Sequence, residues 1–391
     1  MDAVLGDRSL FPALAARSYL NHAAVSPLSV PVQRAAVDAM ASVAEQGVRG
    51  VIDGLEARET LRDEVASWLE VGRDDIGFPP GTTRGILDVA LAIPWRRGDK
   101  VIVFEGEFPS NVIPWMQAME RAGGEVVRLP LEGFGDGSGL GLQRVDDVLA
   151  RGGVRLIAVS AVQFASGLRM PLAALAERAH AHDAELFVDA IQALGVVPLS
   201  AKGVDYLVAG SHKWLMGTDG VAIAAASPAA RSRLAPQTAG WIAHEDGMRF
   251  LTEAGQLRYD RPIRSSLDWM EGGTQSMPTF ASLHAALRVL WGLSIPEIYA
   301  HVQQLHDALE GPLQAFGLVS VRASDREARS GSLCFRPPAG MAVGELSRGL
   351  AEHGVMVGTP DGHLRLSPHW PNALAEVDAV VQAVSEVVGA R

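Results

Sequence analysis

Two short apolar runs, 186–188 and 206–209, each end at once in polar, titratable side chains: Asp189 and Gln192 after the first, Ser211, His212 and Lys213 after the second. Both runs read as buried strands, so a carboxylate and a lysine emerge at neighbouring strand ends. In an open α/β sheet that edge is where ligands bind, because the loops leaving the strands form a crevice there. A desolvated lysine loses its proton and can form a Schiff base with a carbonyl compound. A carboxylate beside it can keep a proton on a pyridine-type nitrogen. The stretch 185–215 is therefore what the rest of the chain has to position.

The chain that surrounds it has 391 residues, enough for one large domain and a smaller one. Its composition, 48% hydrophobic and 20% charged, is that of an ordinary globular protein. A net charge of −11 disfavours a broad electrostatic grip on nucleic acid or an anionic membrane. There is no basic N-terminal region followed by an apolar core, and no apolar run approaches membrane-spanning length. The single cysteine, Cys334, has no internal disulfide partner, which fits a reducing cytoplasm.

Periodicity places helices at 30–46 and 55–69, a strand at 100–104, a helix at 112–122 and a strand at 125–129. A strand at 155–160 and a helix at 172–181 complete another β-α-β unit, and a strand at 221–226 follows Lys213. This order predicts an α/β fold, a mainly parallel sheet with helices on its faces. Residues 227–271 are irregular, and a long helix runs to about residue 289. From about 294 the pattern changes to an α+β arrangement of helices and short strands. The expected division is a large ligand-binding domain, 17–290, and a small domain made of 1–16 and 291–391.

Several further residues could meet a ligand. Gly81-Thr82-Thr83 stands directly before an apolar helix, so backbone N–H groups and two hydroxyls sit at the positive end of a helix dipole, an anion seat. Gly273 and Thr274 lie in a second small-residue loop at a helix start. Phe108 leaves a strand end into a loop, where an aromatic side chain packs on a flat ring or closes the core. His22 follows a short extended piece and either lines a site or serves the structure. The glycine-rich run 133–141 is a loop rather than a dinucleotide fingerprint, since it occupies no tight strand-to-helix turn and lacks the acidic ribose ligand. His180, His182 and Asp183 share a polar helix end without further ligands nearby, so no metal site is expected.

In order, Gly81-Thr82-Thr83, Glu107-Phe108-Pro109-Ser110-Asn111, Asp189-x-x-Gln192, Ser211-His212-Lys213-Trp214, Gly273-Thr274 and Leu364-Arg365-Leu366-Ser367 span nearly the whole chain. This set resembles the class V aminotransferase family of fold type I pyridoxal-phosphate enzymes, which holds cysteine desulfurases, kynureninases and isopenicillin N epimerase-like proteins. The resemblance implies pyridoxal 5'-phosphate as cofactor and Lys213 as the Schiff-base and catalytic lysine. It sets Asp189 under the pyridinium nitrogen, where an ionised carboxylate maintains the electron sink for a Cα carbanion. It puts Gln192 near the ring hydroxyl, Phe108 on the ring, and Thr82, Thr83 and His212 at the phosphate. Gly273 and Thr274 match a loop that reaches the phosphate of a partner subunit, implying a homodimer with shared active sites. Arg365 matches the clamp on the substrate carboxylate, a planar, bidentate task suited to guanidinium; His22 and Gln163 are expected on the substrate side.

Departures from the family pattern narrow the activity. Cysteine desulfurases carry a nucleophilic cysteine on the loop before the arginine motif, and here that loop, 357–363, has none. Cys334 falls in an apolar strand, where a buried, inert thiol is expected, so the chain reads as something other than a cysteine desulfurase. Phe108 looks most like kynureninases, whereas Gln192 stands where they usually have histidine. Ala161 replaces a common asparagine or histidine near the substrate, and Gly210 a common phosphate-binding serine. The expected function is action on an amino acid through a Cα carbanion, by aminotransfer or by β-elimination of the C–S lyase type. Alternatives are an epimerase, a kynureninase-like hydrolase, or a non-catalytic protein that binds the cofactor or an amino acid.

Overall fold

The computed structural model describes residues 3–389; residues 1, 2, 390 and 391, within the ranges expected for the small domain, lie outside the described residues. In chain order its strands are β1 Ser18–Tyr19, β2 Ile76–Gly77, β3 Lys100–Phe104, β4 Glu125–Leu129, β5 Val154–Ser160 and β6 Glu185–Asp189. They continue with β7 Tyr206–Gly210, β8 Ala222–Ala226, β9 Val319–Ser320, β10 Leu333–Arg336, β11 Val355–Met356 and β12 Leu364–Leu366. Seven of them form the central sheet in the order β2-β8-β7-β6-β5-β3-β4. β3 to β7 run parallel, while β8 lies antiparallel between β7 and β2.

Alternation along the strands divides the core between the two faces of the sheet. Ile102, Phe104, Ile157, Val159, Leu186 and Val188 pack with Leu61, Val65, Leu283 and Leu287 of the helices Val48–Leu69 and Met277–Leu293. Val101, Val103, Leu156, Ala158 and Phe187 pack on the other side with Ile86, Val89, Trp115 and Ala118 of the helices Thr82–Ala92 and Ile113–Ala122. With roughly 1.5–3 kcal/mol for each large apolar side chain fully buried, this sandwich is what makes the strand ends rigid. The helix expected to start at 55 starts at Val48, right after Gly47. Its first turns are exposed at Val48 and Ile52 and so give no inward apolar period. Helix Leu140–Leu149 likewise begins inside the glycine-rich run read as loop.

The C-terminal part forms a three-stranded antiparallel sheet, β12-β10-β9, with its own core around Leu333, Phe335, Leu346 and Val384. β1, near the start of the chain, pairs in parallel with β11. Among the described residues no helix is long and apolar enough to cross a membrane.

One buried ion cluster ties the loops around the sheet edge to the helix Val48–Leu69. Arg62 Nη2 lies 2.6 Å from Glu271 Oε1, and Arg58 Nη1 lies 3.1 Å from Glu271 Oε2. Arg62 also donates to the Ile76 carbonyl at 2.9 Å, and its guanidinium lies 4.9 Å from the Phe78 ring centroid. Gln275 donates to the Phe78 carbonyl at 2.8 Å and accepts from Arg58 at 3.2 Å. The segment leading into Thr82 and the loop holding Gly273 and Thr274 thus share one anchor. Glu271→Ala leaves the buried Arg62 and the partly buried Arg58 short of a counter-charge and is expected to destabilise the fold by about 3–5 kcal/mol, read as a lower urea midpoint. An unchanged midpoint would remove the cluster from this role.

Candidate active site

The C-terminal ends of β6 and β7 and the first turn of helix Thr82–Ala92 enclose a cleft of about 660 Å³. Thr82, Thr83, Phe108, Asp189, His212 and Lys213 all line it, together with Gly81, Arg84, Ser110 and Asp219. Thr82 Oγ1 is buried and has no hydrogen-bond partner. A Cβ on Gly210 would stand 2.7 Å from that oxygen, so the missing side chain leaves room for the Thr82 hydroxyl. The Ser211 hydroxyl donates to the Thr218 carbonyl, and Ser211 is not among the residues that line the cleft. Thr83 Oγ1 lies 2.7 Å from Ser110 Oγ.

Electrostatically the cleft is dominated by desolvation. Burial lowers the Lys213 pKa to about 8; Asp189 opposes the shift and the Arg365 guanidinium adds to it. Burial raises the Asp189 pKa to about 7, against a hydrogen bond from the Ile191 backbone at 3.0 Å and with help from the Glu107 charge. His212 is lowered by burial and then by Lys213, which keeps its imidazole neutral. Lys213 Nζ lies 5.7 Å from the centroid of Phe108, a ring 43% exposed that meets Phe164 edge-on at 5.4 Å.

The lysine's backbone is held from both ends of the chain. Ser26 N donates to the His212 carbonyl at 2.8 Å and Ser26 Oγ to the Lys213 carbonyl at 2.6 Å. Since the Ser26 proton is committed there, His22 Nδ1, 2.8 Å from Ser26 Oγ, is the donor of that pair. His369 Nδ1 accepts from Trp370 N at 2.8 Å, which leaves the proton on Nε2 for the Trp214 carbonyl at 2.9 Å. Gln192 donates to the Ala23 carbonyl at 3.0 Å and accepts from the Trp214 indole at 2.9 Å. His22 and Gln192, expected to face ligands, are thus placed behind the cleft with these polar groups engaged by protein.

Other expected residues do not line the cleft. Arg365 lies on β12, 5% exposed, with Nη1 donating to the Phe164 carbonyl at 2.9 Å and Nε buried without a partner. Gln163 donates to Glu107 at 2.8 Å, and its Oε1 is buried and unpartnered. Gly273 approaches the Trp241 indole and Thr274 is exposed. Sequence reasoning assigned no role to Glu107, a buried carboxylate that accepts from Ser160 N at 2.7 Å, from Ser160 Oγ, from Gln163 and from Asn111 at 3.2 Å. It joins the Phe108 loop to the end of β5; the signal was its position directly ahead of Phe108 at a strand end. His180, from the rejected metal cluster, is engaged by Asp205 at 2.7 Å.

The family described as Aminotransferase class-V matches residues 18–372. The chain belongs to the class-V aminotransferase family. Among curated relatives, a probable cysteine desulfurase of Methanothermobacter thermautotrophicus is 25% identical, covering 97% of this chain and 96% of that protein. A cysteine desulfurase of Klebsiella pneumoniae is 30% identical over 69% of this chain and 68% of its own. In fold, the chain is similar to the cysteine desulfurase CsdA of Escherichia coli, with a TM-score of 0.84, 24% identity and 98% of each chain covered. The cystine C-S lyase C-DES gives 0.83 at 20% identity, over 96% of this chain and 99% of that one. The protein is a pyridoxal-phosphate-dependent enzyme of this family, with the expected fold type I architecture. The residues present fit that cofactor, for the cleft offers a poorly solvated lysine, a buried carboxyl poised to share a proton, and the unpartnered Thr82 hydroxyl at a helix start.

Lys213, one of three lysines in the sequence with Lys100 and Lys202, becomes nucleophilic only when deprotonated. Trapping of the cofactor-free protein by an aromatic aldehyde and a hydride reductant, read by mass spectrometry, should modify Lys213 with a rate that rises with pH and has its midpoint near the folded-state pKa of about 8. Asp189→Asn should move that midpoint down, because the opposing attraction is removed. A parent midpoint near 10 would show an amine still in water.

Proposed function

We propose that pyridoxal 5'-phosphate binds in this cleft through Lys213 and that the enzyme acts on the Cα of an α-amino acid carrying a sulfur leaving group on Cβ. The observation that carries this reading is the convergence of a poorly solvated amine, Lys213, with the buried guanidinium of Arg365 and the buried carboxyl of Asp189. The cofactor, when bound, supplies an electron sink for charge developing at Cα. Asp189 holds a proton on the ring nitrogen; Thr82, Thr83 and His212 hold the phosphate; Phe108 covers one ring face. Arg365 fixes the substrate carboxylate and Lys213 takes the Cα proton. Lys213 would return that proton to the departing Cβ sulfur, which would leave as sulfide, thiol or persulfide, and the released enamine would tautomerise and add water to give a 2-oxo acid and ammonia.

No protein thiol has a part in this scheme. Cys334, the chain's single cysteine, is buried in β10, where it faces Arg365 across the strand ladder, and burial pushes its pKa up to about 12. That supports a C–S lyase over a cysteine desulfurase that stores sulfur on its own cysteine. Aminotransfer is the second reading, favoured by the same lysine and arginine, which serve proton transfer at Cα in either reaction.

A homodimer is part of the proposal. Val25, Val37, Met40, Ile113 and Met116 are exposed apolar side chains that the monomer leaves uncovered, and the Gly273-Thr274 loop does not line the chain's own cleft. A reducing cytoplasm suits its buried thiol.

Purified protein should show a visible absorption band that is lost in Lys213→Ala; a protein that cannot be reconstituted with the cofactor contradicts the proposal. With amino acids carrying a thiol or disulfide at Cβ, 2-oxo acid and ammonia should appear together without conversion of the cofactor to its amine form, and accumulation of that form would favour aminotransfer. Arg365→Ala should raise KM for every α-amino acid by about 10- to 100-fold, the loss of a charge-assisted hydrogen-bonded pair.

A further inference from the structure

Arg365 has an unusual environment for a buried cation. Among the described residues no carboxylate pairs with it, and its nearest acidic neighbour in the ladder is the thiol of Cys334. Nη1 is committed to the Phe164 carbonyl at 2.9 Å, whereas Nε is buried and unpartnered. The free edge of the guanidinium is therefore the Nε–Nη2 fork, two parallel donors at the spacing of a carboxylate's oxygens.

That edge looks onto Gly358. Gly358 and Arg365 exchange backbone hydrogen bonds of 3.0 and 2.8 Å across an isolated bridge, which fixes their separation. A Cβ on Gly358 would lie 3.2 Å from Arg365 Nη2 and 3.4 Å from Nε. It would also lie 2.8 Å from Asn21 Oδ1, a second buried polar atom without a partner. Asn21 is set there by its own bridge to Ser367, two residues beyond Arg365. A cationic fork, an amide and a bare backbone thus meet at one point, and among the described residues neither Arg365 Nε nor Asn21 Oδ1 has a hydrogen-bond partner.

We infer that Gly358 and Asn21 complete the seat for the substrate's α-carboxylate, with Gly358 as the specificity-determining residue that keeps the Nε–Nη2 edge of Arg365 open to a flat anion. The inference rests on the proposed role of Arg365 as the carboxylate clamp. In the loaded seat the Asn21 amide turns its Nδ2 toward the ligand and adds a third donor, while its Oδ1 leaves the dry position it holds here. A side chain at 358 would project into the space beside the Nε–Nη2 fork and crowd a carboxylate placed against it. Because the Gly358 backbone is outside the left-handed region, alanine can be introduced there without backbone strain.

The test follows binding of propionate, a carboxylate with no amine, to the purified protein with and without cofactor, by ligand-observed NMR. Gly358→Ala is expected to weaken propionate about 10-fold or more, Asn21→Ala by about 3- to 10-fold, the loss of one hydrogen bond to a charged group. Both should keep the cofactor absorption band, since neither residue lines the cofactor cleft. Asn21→Asp, close in shape to the parent, places a carboxylate beside the guanidinium and should abolish propionate binding. Parent-like affinity in Gly358→Ala and Asn21→Asp, with binding lost in Arg365→Ala, would overturn this inference and leave the clamp standing. Parent-like affinity in Arg365→Ala as well would overturn the clamp itself.

Discussion

At the ends of two adjacent parallel strands, Asp189 and Lys213 are both taken out of water without forming an ion pair, and burial outweighs their mutual attraction. Each is thereby pushed toward its neutral form, the carboxyl upward and the amine downward. Such a site is unfavourable to isolated charge, and a bound partner that accepts a proton from one group and an amine from the other relieves both. The neutral imidazole of His212, the unpartnered Thr82 hydroxyl and the lone guanidinium of Arg365 extend the same condition around the cleft. What this protein stores in its folded form is a set of groups desolvated in advance, so little reorganisation is left for the moment of binding.

Holding such a site open requires stiffness behind it. Three successive carbonyls, of His212, Lys213 and Trp214, are each bonded to a side chain or backbone group from elsewhere in the chain. Two neutral histidines, His22 and His369, stand edge to face at 5.4 Å behind this segment. Burial lowers the pKa of both, so neither adds positive charge near the lysine. Glu107 plays the matching role on the far side, binding the Phe108 loop and Gln163 to the end of β5.

The strand ends were legible because their chemistry is local: an apolar run that stops abruptly in Asp189 or in Ser211-His212-Lys213 announces both the strand and its exposed edge. The parallel sheet, the helix seat at Thr82 and the buried state of Cys334 follow from period and composition in the same way. Where a polar side chain turns is not local. Gln192 and His22 carry the right groups for ligand binding, yet their partners are Ala23, Trp214 and Ser26, the first two meeting Gln192 across 169 and 22 residues. Glu107 was passed over for the converse reason: a carboxylate in a loop looks solvated until Ser160 and Gln163 close over it. The antiparallel β8 follows the glycine-bounded turn after Lys213, which reads as leading into a returning strand.

The hydrogen bond from His369 to the Trp214 carbonyl spans 155 residues, and β1 pairs with β11 at the opposite end of the sequence. During synthesis β3 to β8 can pair well before the C-terminal part has emerged, because their ladders join residues about 12 to 55 apart. The lysine segment cannot be fixed then, as its last tether is made only when residue 369 has emerged. Gathering of the sheet and completion of the lysine's support are therefore separate events in the life of the chain.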